Sequence, residues 1–317
     1  MISRASRTTR SSAGCHDARP ARPARPARPA RPVRRASLRD RLAPVTENNK
    51  NLFIRLATAV VMVPVILAML FVLPPVVFYG LVVLATVVGG LEFFAMTHPQ
   101  DRVARALGVA TCVLVSVVVY FFAHDPRALV ALLFGVPMAA LLSPLLRLGD
   151  IQTAALRVCA GAFGPLYIGA LTLLALLLKE QGKDGGGYVL LTLMIAWFAD
   201  TFGYFAGRFL GKHKLYPAVS PKKTVEGAVG GLCGSVVGAL FAHFVYLKSL
   251  DLAAGVALAL VASALGQLGD LGESLLKRST GVKDSGQIVP GHGGILDRVD
   301  ALLLTSTVVY LYTLFVR

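Results

Sequence analysis

Long apolar runs separated by short polar breaks occupy the chain from residue 53 to its end. A helix needs about 20 predominantly apolar residues to cross a hydrocarbon core. Runs of roughly that length fall at 53–73, 76–95, 103–122, 128–146, 155–178, 188–207, 226–247, 252–272 and 300–316, the fourth and last being the shortest. The pattern predicts an all-α fold, a polytopic membrane helix bundle of about nine transmembrane helices. Pro64, Pro137 and the Gly164–Pro165 pair lie inside these runs. Membrane helices tolerate such residues because neighbouring helices satisfy the freed backbone groups.

Composition supports this pattern. Of 317 residues, 55% are hydrophobic and 15% charged, against about 25% charged in a soluble domain. The net charge of +15 is concentrated at the N-terminus, where residues 1–50 hold 13 Lys/Arg and 3 Asp/Glu. That stretch includes the Ala-Arg-Pro repeat over Ala21–Pro32. Prolines without amide donors and mutually repelling arginines predict a disordered or polyproline-like basic tail over 1–50, ahead of a membrane domain over 51–317. We read the tail as touching anionic lipid headgroups rather than nucleic acid. It has no apolar core of a secretory signal, and its Arg/Ser-rich start has only a faint likeness to a transit peptide. Cys15, Cys112, Cys159 and Cys233 are scattered, with no metal-ligand spacing and no disulfide framework.

Loop charges set an expected orientation. With the N-terminus inside, the inner side receives the tail, Arg102, Arg105, Arg147, Arg157, Arg208, Lys212, Lys214, Lys222, Lys223, Lys277, Arg278, Lys283 and Arg298. Only Arg127, Lys179, Lys183, Lys248 and Arg317 fall outside. The polar loops 208–225 and 273–299 would then both be cytoplasmic. No internal repeat or inverted symmetry suggests a secondary transporter.

Residues 267–300 hold chemistry that the rest of the chain mostly lacks. Asp270, Glu273, Ser274 and Lys277 stand at i, i+3, i+4 and i+7, on one helical face. Carboxylates within the membrane are costly and mark functional sites, although a ladder of interfacial ion pairs would use the same residues. Asp297 and Asp300 head the last helix, where either they suit its dipole or Asp297 faces Asp270 across the loop. Mg²⁺ takes one or two carboxylates and leaves its other positions to water and phosphate. Between these walls runs Lys283-Asp284-Ser285-Gly286, then Pro290-Gly291-His292-Gly293-Gly294, glycines that let a phosphate approach closely beside a lysine. Asp200 is another carboxylate inside an apolar run, read either as a helix–helix hydrogen bond or as part of the site. The Ser220-Pro221-Lys222-Lys223-Thr224-Val225-Glu226-Gly227 stretch fits positive-inside anchoring or a phosphate clamp.

The spaced pattern Ser274-Leu-Leu-Lys277-Arg278, Lys283-Asp284-Ser-Gly286 and Pro290-Gly-His292-Gly-Gly-Ile-Leu-Asp297-Arg298-Val-Asp300 resembles the signature of the phosphatidate cytidylyltransferases, or CDP-diacylglycerol synthases. Asp200-Thr201, Gly203-Tyr204 and Ser220–Gly227 resemble that family too. The likeness is sharp over 197–300 and only hydropathic over 53–190; Val289 replaces a larger apolar residue usual in the family. The resemblance implies transfer of a cytidylyl group from CTP to phosphatidic acid, giving CDP-diacylglycerol and pyrophosphate. It also implies a homodimer in the bacterial cytoplasmic (inner) membrane, with the N-terminus and site cytoplasmic, and Mg²⁺, with a second cation, as cofactor. Asp270 and Asp297 are the expected metal ligands. Asp270, Asp297, Lys277 and Asp284 are the expected catalytic set, and Ser220, Lys222, Lys223, Ser274, Arg278, Lys283, His292 and Arg298 the substrate-binding set. The alternatives are a polyprenol kinase or other lipid phosphotransferase and, from a different class, an ion-coupled transporter relaying through Asp200, Asp270 and Asp297.

Overall fold

The computed structural model describes residues 62–146, 149–286 and 293–316. The tail at 1–50, the start of the first expected span, Arg147, Val289, Pro290, Gly291 and His292 lie outside the described residues.

The described part of the first span is α1, Met62–Phe71. It is followed by α2 (Pro75–Thr97), α3 (Arg102–Phe122) and α4 (Pro126–Leu146), with α2 and α4 each opening on a proline. Proline at the first helical position gives up an amide that would have no helical partner there. Asp101 caps α3, its Oδ1 accepting from the Val103 and Ala104 amides at 3.0 Å.

The span expected over 155–178 is two helices, α5 (Ala154–Gly169) and α6 (Thr172–Glu180). At the join, Leu171 N donates to Ile168 O and Leu173 N to Ala170 O, so the ladder tightens to i−3 pairing. Gly169 faces α3 so closely that a Cβ there would stand 2.5 Å from Val115 Cγ1.

Next come α7 (Gly185–Phe209), α8 (Val225–Val245), α9 (Leu252–Ser279) and α10 (Leu296–Phe315). The stretch read as a loop at 208–225 contains an antiparallel hairpin, β1 (Lys214–Tyr216) with β2 (Ser220–Thr224), pairing Lys214 with Thr224 and Tyr216 with Ser220. Thr224 ends the hairpin and caps α8, its Oγ1 accepting from Gly227 N at 3.1 Å. α7 and α8 meet along small residues: a Cβ on Gly227 would lie 3.0 Å from Gly203 O, and one on Gly234 2.6 Å from Phe198 O. Close backbone approach of this kind substitutes for the hydrophobic drive that lipid removes.

Among the described residues, eight helical segments are long and apolar enough to cross a membrane. The chain is a polytopic helical bundle with one small hairpin. Its core is built on Phe93, Phe94, Leu177, Tyr188, Ile195 and Leu303, all nearly inaccessible. One end is pinned by Glu180, which accepts from Tyr310 Oη at 3.1 Å and meets His124 Nε2 at 3.0 Å. There Lys179 Nζ also donates to Tyr120 O at 2.8 Å. The hairpin, the end of α9 and the start of α10 lie at the opposite end of the bundle.

Candidate active site at the polar end of the bundle

α9 continues past the apolar run ending at 272 and carries Asp270, Glu273 and Lys277 on one face. Lys277 Nζ donates to Glu273 Oε2 at 2.6 Å and to Asp297 Oδ1 at 2.5 Å, tying α9 to the first turn of α10. The other Asp297 oxygen, Oδ2, accepts from Ser285 N and Ser285 Oγ at 3.0 Å each and from Gly294 N at 2.9 Å. Asp297 therefore holds the α9–α10 connection as well as α10 itself.

A third carboxylate completes this lock. Glu92 of α2 is buried, and its Oε1 accepts from Ile295 N at 3.0 Å while Oε2 accepts from Leu296 N at 2.8 Å. α10 has no side-chain cap of its own, so Glu92 supplies the negative charge its N-terminus favours. Glu92 Oε2 is also 3.2 Å from Ser285 Oγ. A hydroxyl carries one proton, so Ser285 donates to Glu92 or to Asp297 at any moment, not to both.

Beside the lock lies a carboxylate group of different character. Lys223 Nζ, presented by β2, pairs with Asp270 Oδ2 at 2.5 Å. Asp200 of α7 is within electrostatic reach of Asp270, Lys223 and Arg298, and Asp300 is within reach of Asp270, Glu273 and Asp200. Asp200, Asp270 and Asp300 thus gather where α7, α9 and α10 meet the hairpin, with Lys223 and Arg298 as nearby countercharges. Tyr167 of α5 looks onto the same carboxylates.

The site residues expected from sequence separate into groups. Asp270 and Lys223 come together, as do Lys277 and Asp297. Arg298 is exposed but close to Asp200. Ser274 is half-buried on α9, and Ser220 half-buried at the start of β2. Lys222, Lys283 and Asp284 are exposed. Arg278 points to its own turn, where Nη1 donates to Val282 O at 3.2 Å. Asp297, expected to face Asp270 as a metal ligand, has donors from this chain on both oxygens. Asp300, one helical turn on, shares the electrostatic neighbourhood of Asp270 and Asp200. Glu92 and Tyr167 were missed. Glu92 had a signal, being a carboxylate inside the apolar stretch Leu91-Glu92-Phe93-Phe94; Tyr167 had none.

The donor set here is all oxygen. Among the described residues no three His, Cys, Asp or Glu side chains already stand in ligating geometry. A hard cation such as Mg²⁺ needs only one or two carboxylates, its remaining positions going to water and phosphate oxygens. Two buried oxygens at this place, Glu273 Oε1 and Tyr167 Oη, have no hydrogen-bond partner among the described residues. An unsatisfied buried polar group costs about 1–3 kcal/mol. All-oxygen carboxylates beside unsatisfied oxygen atoms fit such an ion and its water shell.

The model of the cytidylyltransferase family matches residues 53–316. The chain belongs to the cytidylyltransferase family. Within it, the chain is 47% identical over 126 residues to a protein of Staphylococcus saprophyticus named phosphatidate cytidylyltransferase, covering 40% of this chain and 48% of that one. A protein of the same name from Staphylococcus aureus is 48% identical over 126 residues, covering 39% and 48%. One from Staphylococcus haemolyticus is 47% identical over 121 residues, covering 38% and 46%. The chain spans about half the length of the curated relatives it matches. The family model takes in every element of the site: Glu92, the hairpin, and the ends of α7, α9 and α10.

Proposed function

We propose that this chain transfers a cytidylyl group from CTP to phosphatidic acid, forming CDP-diacylglycerol and releasing pyrophosphate. The Asp270–Lys223 pair, set beside Asp200 and Asp300 at the polar end of apolar helices, supports this most directly. It joins countercharged carboxylates to a cation suited to phosphate at the depth of a lipid headgroup.

A phosphate oxygen of phosphatidate forms the new bond to the α-phosphorus of CTP, and the bond from that phosphorus to the α,β-bridging oxygen breaks. The attacking oxygen is already anionic, so no strong general base is required. The protein contributes positioning and charge neutralisation. Asp270, with Asp200 and Asp300, would hold Mg²⁺ and a second cation, which supply charge neutralisation at the nucleotide phosphates when bound. Lys223 would exchange its contact with Asp270 for a phosphate oxygen. Arg298, close to Asp200, and Lys222, on the hairpin, would neutralise the leaving pyrophosphate. Lys277, Asp297, Ser285 and Glu92 fix the connection against which the substrates bind. Lys283 and Asp284, exposed on that connection, and His292, Ser220, Ser274 and Arg278 remain candidates for substrate contact.

We place the protein in a bacterial inner membrane as a homodimer with this site on the cytoplasmic side, as the lysine and arginine distribution favours. Purified protein given phosphatidate with α- or γ-labelled CTP, with and without Mg²⁺, tests the reaction. Label from the α-position should enter the lipid only with Mg²⁺. Transfer of the γ-label alone would replace this reading with that of a lipid kinase. Substrate counterflow in proteoliposomes without nucleotide turnover would replace it with a transporter.

A further inference from the structure

A second recess lies at the same end of the bundle but uses a different face of α9, with Leu276, Ser279 and Thr280 in place of Asp270, Glu273 and Lys277. It encloses about 1130 Å³ between the α2–α3 connection, the start of α5 and the end of α9. Its lining is chemically mixed, with Arg102, Arg157, His98 and Gln100 beside Phe93, Leu156 and Phe163.

The arginines have capacity to spare. Arg157 Nη2 donates to Asp150 O at 2.9 Å, yet its Nε is buried with no partner among the described residues. Arg105, one turn further along α3 and outside the recess lining, donates from Nη2 to Pro99 O at 2.5 Å and leaves Nε unpartnered among the described residues. Two acids border the recess, and each is engaged with local backbone. Asp101 Oδ1 accepts from Val103 N and Ala104 N at 3.0 Å, and Asp150 Oδ1 accepts from Gln152 N at 3.0 Å. Burial, and then the Arg157 charge, hold the His98 pKa below its ordinary 6.5, so the ring is a neutral hydrogen-bonding group at neutral pH. Leu156 and Phe163, at 72% and 50% exposure, open the apolar wall to the surroundings of the bundle. A recess lined by two arginines, one with an unpartnered nitrogen among the described residues, together with exposed apolar side chains, matches a molecule with an anionic head and a hydrocarbon tail.

We infer that this recess is a binding site for a phosphate-bearing amphiphile, an anionic phospholipid whose headgroup meets Arg102 and Arg157 and whose chain lies along Leu156 and Phe163. The site is separate from the carboxylate group and does not depend on cytidylyl transfer taking place there.

Cys159 lines the recess and is exposed, which gives a direct readout. In a Cys15→Ser, Cys233→Ser background, its alkylation by a water-soluble maleimide is followed in nanodiscs of phosphatidylcholine, with or without phosphatidylglycerol. Phosphatidylglycerol should slow alkylation by about fivefold or more, the share of anionic-lipid attraction expected of one arginine. Arg102→Ala with Arg157→Ala should remove that difference. Ala160→Trp, which fills the recess without altering charge, should remove it too and so separates a built site from general surface attraction. Equal rates in both lipids, or protection that survives in both variants, would overturn the inference. Inorganic phosphate slowing the reaction as strongly in phosphatidylcholine discs would also overturn it, by making the free anion the ligand. Label transfer from CTP, measured on the same preparations, reports separately on the proposed reaction.

Discussion

The Glu92 carboxylate on α2 and the Leu296 amide at the start of α10 lie 2.8 Å apart although 204 positions separate them in sequence. This bond, with the one from Ile295, sets where α10 begins and therefore where Asp297 and Asp300 stand. Replacing Glu92 by Ala should strip the Ile295 and Leu296 amides of their side-chain acceptor, at a cost of about 0.5–2 kcal/mol. Glu92→Gln keeps one carbonyl oxygen and should cost less. Thermal unfolding of the detergent-solubilised protein, followed by size-exclusion chromatography, would show the order wild type, Gln, Ala. Equal melting of all three would remove Glu92 from the lock.

Lys277 holds two carboxylates, and its removal leaves Glu273 and Asp297 facing each other with little access to water. Breaking such a buried pair by removing one partner costs about 3–5 kcal/mol. Lys277→Met should therefore destabilise strongly. Adding Glu273→Leu should recover part of the loss, because it removes the orphaned charge. A double-mutant cycle on unfolding midpoints measures the recovery.

Asp270→Ala and Asp300→Asn should each lower cytidylyl transfer by about 100-fold or more, the scale of losing a group that stabilises developing charge. Both proteins should remain inserted in the membrane. Asp284→Ala, on an exposed position, should have a much smaller effect. Asp297→Ala should also abolish transfer, but together with a lowered melting temperature, because its oxygens hold the connection. The combination of label transfer and thermal stability separates a group at the reacting phosphates from one that positions the loop. Wild-type turnover in Asp270→Ala would defeat the cation assignment.

His98 provides a pH-dependent prediction outside the membrane spans. Burial and Arg157 lower its pKa from 6.5, so the folded protein binds this proton less readily than the unfolded chain. Stability from this group is intact above the unfolded pKa. It declines as pH falls through about 6.5 and is fully lost below the lowered folded value. In Arg157→Ala the folded pKa should rise towards 6.5 and the acid-side loss should shrink. Melting temperature measured from pH 7.5 to 5 in both proteins would show the difference if the Arg157 charge acts as described.

The apolar periodicity made the helices legible, because a chain crossing hydrocarbon must satisfy every backbone group within a helix. The break at Ala170–Leu171 was not legible, since the sequence stays uniformly apolar across it. The hairpin was hidden for a different reason. Ser220–Thr224 contains a proline and adjacent lysines with no alternation, and its strand form comes from pairing with Lys214–Tyr216. On α9 the i, i+3, i+4, i+7 spacing correctly put Asp270, Glu273 and Lys277 on one face. What spacing could not provide was how Asp297 is held, which depends on donors from Ser285, Gly294 and Lys277 that converge only in three dimensions. Glu92 carried its own warning as a membrane carboxylate, but its partner lay on the far side of the chain.

α10 is gripped at two depths. Near its start, Glu92 holds the Ile295 and Leu296 amides, and several turns on, Tyr310 Oη is fixed to Glu180. A helix tethered at both levels cannot slide along its axis without breaking one tether. The height of Asp300 relative to the bilayer is therefore set by the scaffold rather than by what binds.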